Sequence, residues 1–202
     1  MARSVFFSFA YEDVKNFKVN VVRQSWRTKF DDETFVDGSI WETDKTHEPE
    51  EIMELIGDGL SGTSVTTILI GESTANRRWV NYEIVRSFDK GNGILGVHIN
   101  RIRGTCGATP RGKDPLVRLG LEVVDEGTRI NFYELVNGQW YVYDDLPSIR
   151  NKKSNSLYFD EYQQFNKLYR FSELFGTLCW DLDNGYQHFA SWIRFAAQQV
   201  GR

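Results

Sequence analysis

Short, largely apolar runs punctuate the first hundred residues of the chain, beginning with "SVFFSF" at residues 4–9. This first run is too short for a helix and apolar at most positions, the pattern of a strand buried on both faces. "TFVDGSIW" (34–41) is the second and contains Asp37-Gly38, a turn signal. "SVTTILIG" (64–71), rich in β-branched residues, is the third, and "ILGVHI" (94–99) the fourth. Between these runs the apolar residues change to helical spacing. Val14, Phe17, Val21 and Val22 predict one amphipathic helix after the first strand, with Asp13 capping its start. The polar loop "ETDKTHEPEE" leads into a second helix. Pro49 among Glu48, Glu50 and Glu51 suits a first turn, and Ile52, Leu55, Ile56 and Leu60 form its apolar face. A third helix runs from Trp79 to Lys90 and is ended by Gly91 and Gly93. The order β-α-β-α-β-α-β predicts an α/β fold, an open parallel sheet with helices on both faces. Ligands of such sheets bind beyond the carboxyl ends of the strands. The loops there begin at Phe9-Ala10-Tyr11, Asp37-Gly38, Gly71-Glu72 and Asn100.

After Asn100 the pattern changes. "RIRGTCGATPRGKDP" is a basic loop containing glycine. In "RINFYELVNGQWYVYDD" (129–145), Asn137-Gly138 separates two runs rich in aromatic and β-branched residues, the signature of a hairpin with a type I′ turn. Residues 157–180 are aromatic and read as helical in part. A closing helix follows in "DLDNGYQHFASWIRFAAQQV", where Tyr186, Phe189, Ile193, Ala197 and Val200 share a face. The chain of 202 residues therefore reads as a single domain: a core over about 1–100, a hairpin insertion over about 101–150, and a C-terminal helical part over about 151–202.

Composition narrows the function. A net charge of −4 gives no bulk basic field, so neither nucleic acid nor an anionic membrane is expected as partner. The first apolar run is too short for a signal peptide, and no run of about 18 apolar residues occurs. Two cysteines, Cys106 and Cys179, form no framework, which fits a reduced cytoplasmic setting. G-x-G-x-x-G and P-loop patterns are absent. His47, His98 and His188 are scattered without metal spacing, so no metal is expected. His98, inside an apolar strand, reads as a satisfied core residue. Attention falls on "RRWVNYEI" (77–84), which sets a carboxylate, Glu83, among aromatic and apolar neighbours. Trp79 and Glu83 are four apart and share a helix face. Two readings stay open from residue types alone: an ion pair between Glu83 and Arg86 three residues on, or a carboxylate that meets a substrate.

The content and order of residues 4–99 resemble a TIR (Toll/interleukin-1 receptor) domain, which implies a flavodoxin-like core. "SVFFSFAYED" is similar to the family's first box, and "SVTTILIGESTANRRWVNYEI" to its central strand, the following loop and the Trp-x-x-x-Glu helix start. "RRWVNYEI", "GVHIN" and the late "DNGY…FASWI" more specifically resemble the TIR-like proteins of the bacterial Thoeris antiphage system. The resemblance implies that Glu83 is catalytic for cleavage of NAD, as substrate and with no separate cofactor, at the nicotinamide–ribose bond. It implies closure of the product to a cyclic ADP-ribose-type messenger that activates a separate effector. For the substrate it implies Ser8 and Tyr11 at ribose or phosphate, Phe9 and Trp79 stacking on nicotinamide, Asp37 and Trp41 flanking a loop that covers the site, and Arg77 at a phosphate. Two other functions remain compatible: a plain NAD hydrolase, and a non-catalytic adaptor acting through homotypic contacts, with Glu83 paired to Arg86. Assembly into a homo-oligomer is left open. The chain departs from the family pattern at Ala10-Tyr11-Glu12, where a basic residue is common, and in the acidic "WETDKTHEPEE" loop.

Overall fold

The computed structural model describes residues 4–28, 35–37, 48–152 and 165–202, with residues 35 and 37 described by their backbone alone. The first half alternates as expected: β1 (Val5–Phe9), α1 (Tyr11–Lys15), α2 (Lys18–Arg27), β2 (Phe35–Asp37), α3 (Pro49–Gly59), β3 (Val65–Ile70), α4 (Arg78–Lys90) and β4 (Gly93–His98). A second group follows: α5 (Pro115–Arg118), β5 (Leu119–Val124), β6 (Arg129–Val136), β7 (Gln139–Val142), β8 (Ser148–Arg150), β9 (Leu168–Arg170) and α6 (Phe171–Leu174). The chain then returns through β10 (Thr177–Cys179) to α7 (Gly185–Gln199).

The main sheet is wholly parallel, in the order β2-β1-β3-β4-β10. Successive side chains in a strand face opposite ways, and this alternation splits the core in two. Val5, Phe7 and Phe9 pack with Val19, Val22 and Trp26 of α2 and with Phe189 and Ile193 of α7. Phe6 faces the other way, toward Ile52 and Ile56 of α3 and Ile84, Val85 and Phe88 of α4. Ser8 is two residues from Phe6 and so lies on the α4 side. On that side a second, antiparallel sheet in the order β7-β6-β5-β9 covers the far face of α4, with Phe88 edge-on to Phe132 and Phe171. α4, which carries Glu83, is thus held between two sheets.

The structure differs from the sequence reading in several places. The single helix expected after β1 is two, because Phe17 adopts a left-handed conformation (φ 61°) between them. The break turns Phe17 and Val21 outward, 57% and 39% exposed, and gives the buried face to Val19, Val22 and Trp26. Asp13 is not the cap of α1, a place held by Ala10, but a buried residue within it. A fifth parallel strand, β10, and the short β9 occupy a segment read as partly helical. Runs of three residues are too short for periodicity to register. The second strand is found at 35–37, and the rest of its expected span, with Trp41 and the loop after it, lies outside the described residues. The hairpin turn is type I′, with Asn137 and Gly138 both at positive φ. The closing helix packs Phe189, Ile193 and Ala197 inward but leaves Tyr186 exposed.

Close packing of α7 depends on Gly93 at the start of β4, where a Cβ would sit 2.2 Å from the Ala196 carbonyl oxygen. A backbone atom cannot yield as a side-chain tip can. Gly93→Ala should lower stability by roughly 1–3 kcal/mol, seen as a lower midpoint in chemical unfolding.

Candidate active site

Glu83 is 1% exposed, and Ser8 is fully buried. A carboxylate in that position needs a hydrogen-bond donor. Ser8 supplies it: its hydroxyl donates to Glu83 Oε2 at 2.5 Å. The contact follows from the strand alternation described above, which aims the one polar side chain of β1 at α4. The backbone of Glu83 is held too. Ser87, one turn on, donates to the Glu83 carbonyl at 2.5 Å, and its hydroxyl lies 2.7 Å from that of Thr66 on β3. The intrahelical alternative does not form. Arg86 pairs with Asp89, which also accepts from Lys152 at 2.5 Å.

The other expected site residues divide. Trp79 shares the Glu83 side of α4, half-buried, edge-on to Tyr82 with ring centres 6.2 Å apart, and carries the Arg78 guanidinium 4.6 Å above its ring. Arg77 reaches the first turn of α1, where it pairs with Glu12 at 2.6 Å. Tyr11 is half-buried at the same end of the sheet, with the Lys15 amine 4.9 Å from its ring centre. Phe9 is not brought to Glu83. Its ring is fully buried on the opposite face of the sheet, under the Arg23 guanidinium. Trp41 and the side chain of Asp37 lie outside the described residues.

Several polar groups at the carboxyl end of the strands had no clear sequence signal. Lys18 is fully buried and donates to the Asn100 carbonyl at 3.0 Å and to Thr109 Oγ1 at 2.7 Å, tying the loop after β4 to α2. Asp13 is wedged against Gly71, where a Cβ would fall 2.0 Å from its carboxylate. Burial pushes the Asp13 carboxyl up to about 6, opposed by Lys18, reinforced by Glu12 and Glu72, and opposed again by Arg77. His98, read as a satisfied core residue, is satisfied at one nitrogen. Nε2 accepts from Arg111 at 3.2 Å, while Nδ1 is buried without a partner among the described residues. Burial, then Arg111, lowers its pKa, so the ring is neutral. Cys106 is exposed and free.

A family model for the "Thoeris protein ThsB, TIR-like domain" matches residues 6–103, which contain both Ser8 and Glu83. A protein of Bacillus cereus (strain MSX-D12) is 40% identical over 196 residues, 96% of this chain and 100% of that protein. The chain belongs to the ThsB TIR-like family. The Bacillus relative bears the name "Putative cyclic ADP-D-ribose synthase ThsB1". The match to the family model ends just past β4, whereas the match to this relative takes in the antiparallel sheet and α7 as well. Among the described residues no helix is long and apolar enough to cross a membrane.

The buried Asp13 makes a pH prediction. Its carboxyl binds a proton more tightly folded than unfolded, so its contribution to stability is fully present below about pH 4 and is lost as pH rises through about 6. Asp13→Asn should remove that loss. Thermal unfolding across pH 4–8 should show the variant gaining on the parent, by on the order of 2–3 kcal/mol at pH 8.

Proposed function

We propose that this ThsB-family chain cleaves NAD at the nicotinamide–ribose bond and joins the ribose to another hydroxyl of the same molecule, giving a cyclic ADP-ribose-type messenger. The observation that carries the reading is the buried Glu83 carboxylate, held by Ser8 at the carboxyl end of the parallel sheet. The name borne by the Bacillus relative supports it.

The chemistry asks for such a group. Nicotinamide is a cation while bonded to the ribose and leaves neutral, so its departure passes the positive charge to the ribose as oxocarbenium character. A fixed carboxylate beside the ribose stabilises that charge as it develops. Ser8 serves as a positioning residue, fixing one carboxylate oxygen so that Glu83 need not reorganise during the reaction. Trp79 offers an aromatic edge near the nicotinamide, and Tyr11 and Arg77 lie at the end where ribose and phosphates would sit. Arg77 must then exchange Glu12 for a phosphate. Exclusion of water favours capture by an internal hydroxyl over hydrolysis. At 1% exposure Glu83 meets substrate only after the site opens, so turnover includes an opening step that a trigger could control. The messenger would act on a separate effector protein in the same cytoplasm, as a Thoeris signal.

Mass spectrometry of NAD incubated with the protein tests this. The expected product has the mass of ADP-ribose less one water, and Glu83→Gln should lose at least about a hundredfold of the activity. ADP-ribose alone would replace the cyclase with a hydrolase. A fully active Glu83→Gln would overturn the assignment of Glu83.

Ser8→Ala should lower kcat by roughly 10- to 100-fold, the worth of a hydrogen bond to a charged group, with KM little changed. The acid limb of its pH–rate profile should also move to higher pH, because a donor to the carboxylate favours its ionised form. Ser8→Thr should recover part of both.

A further inference from the structure

We propose that the outer edge of β7 pairs with the same edge of a second copy of this chain, joining two antiparallel sheets into one across a two-fold axis. β7 ends its sheet, and among the described residues no strand lies on its other side. Edge strands usually carry a charge, a proline or a bulge that blocks further pairing. β7 reads Gln-Trp-Tyr-Val, has none of these, and leaves Tyr141 and Val142 53% and 52% exposed.

The hairpin fixes which backbone groups are available. The two-residue turn at Asn137-Gly138 and the bond from Tyr143 N–H to the Phe132 carbonyl (2.9 Å) set the odd-numbered residues 139, 141 and 143 toward β6. The N–H and C=O of Trp140 and Val142 therefore point away from the sheet.

A two-fold axis can centre the new pair on Trp140, Tyr141 or Val142. Only centring on Tyr141 sets Trp140 opposite Val142 of the second copy twice over, so that all the outward groups exchange four hydrogen bonds. That register stacks an aromatic on a β-branched residue on the outer face and sets the two Tyr141 side chains together on the inner face. It places Gly138 opposite Asp144, so no like charges meet. The inner face has room, because Tyr141 borders a cleft of about 820 Å³ between β6–β7 and the start of α4. A second copy is thus favoured over an unrelated partner by the self-complementarity of the segment. Four residues on each side make a small interface, so the dimer should be weak and concentration-dependent.

Sedimentation velocity over a concentration series tests the proposal without reference to catalysis. The full chain should pass from monomer to dimer. Val142→Pro removes an outward N–H but no hydrogen bond of its own sheet, and should weaken the dimer at least about tenfold with the far-UV circular dichroism unchanged. Tyr141→Lys and Tyr141→Glu should each be monomeric alone, and an equimolar mixture of the two should dimerise again. A chain that stays monomeric at every concentration overturns the proposal. So does a dimer indifferent to Val142→Pro and Tyr141→Lys. A mixture of the charge variants that remains monomeric overturns the axis at Tyr141.

Discussion

One hydrogen bond, from a serine in a β-strand to a glutamate in a helix, sets the terms for this fold. Glu83 lies where water cannot solvate it, and a carboxylate there is costly unless a donor meets it. Ser8 can do so only if β1 is in register with β3, if its even-numbered residues face α4, and if α4 turns Glu83 toward β1. A one-residue slip of β1 would send Ser8 into the opposite core and put Phe7 or Phe9 against the carboxylate. The five-residue pairing of β1 with β3 and the close packing of both faces oppose that slip. The polar contact is therefore a product of the apolar architecture around it.

The second sheet bears on the same helix from the other side. α4 is amphipathic with respect to two partners. Glu83 and Ser87 meet the parallel sheet at Ser8 and Thr66, while Phe88 meets Phe132, Phe171 and Phe175. Asn81 extends the contact, donating to Glu134 of β6 at 2.9 Å, and Arg78 clamps Asp145 through two nitrogens. A helix fixed on both sides has little freedom to rotate, and rotation is the motion that would swing Glu83 away from Ser8.

Much of the parallel sheet could be read from the chain because its strands are buried on both faces and its helices amphipathic. Those are long-range consequences of local pattern. Glu83 stood out for a related reason, as a charge at a position whose neighbours are apolar. What could not be read depends on three-dimensional register. The spacing of Phe17 and Val21 with Val14 and Val22 fits one helix face well. Only the left-handed backbone at Phe17 divides it, and nothing in the side-chain pattern announces that. β10 has three residues and is a strand because His98 and Gly96 offer it an edge. Ser8 was visible as a lone hydroxyl in an apolar strand, but its partner lies 75 residues away. Arg86 was the near candidate for Glu83 by spacing, yet Asp89 is just as near in sequence. The structure settles the choice: Arg86 pairs with Asp89, and the Glu83 carboxylate is met by Ser8.

The backbone of α4 is also anchored from the far end of the sheet. Arg202 donates to the Asn92 side-chain oxygen at 3.1 Å, and the Asn92 amide donates to Thr66 Oγ1 at 3.4 Å. Ser87 spends its single hydroxyl proton on the Glu83 carbonyl, so in the Thr66–Ser87 pair the threonine must donate. Every bond in this series then runs in one direction, from the last residue of the chain to the peptide carbonyl of Glu83. Groups aligned in this way polarise one another, and in a buried setting each is costly to leave unmet. The series enters from the amino-terminal ends of β3 and β4, whereas Ser8 acts at the carboxyl end of β1. Glu83 is thereby fixed at two points, its carbonyl by one end of the sheet and its carboxylate by the other. A residue held at both its backbone carbonyl and its carboxylate has one fixed position among apolar neighbours.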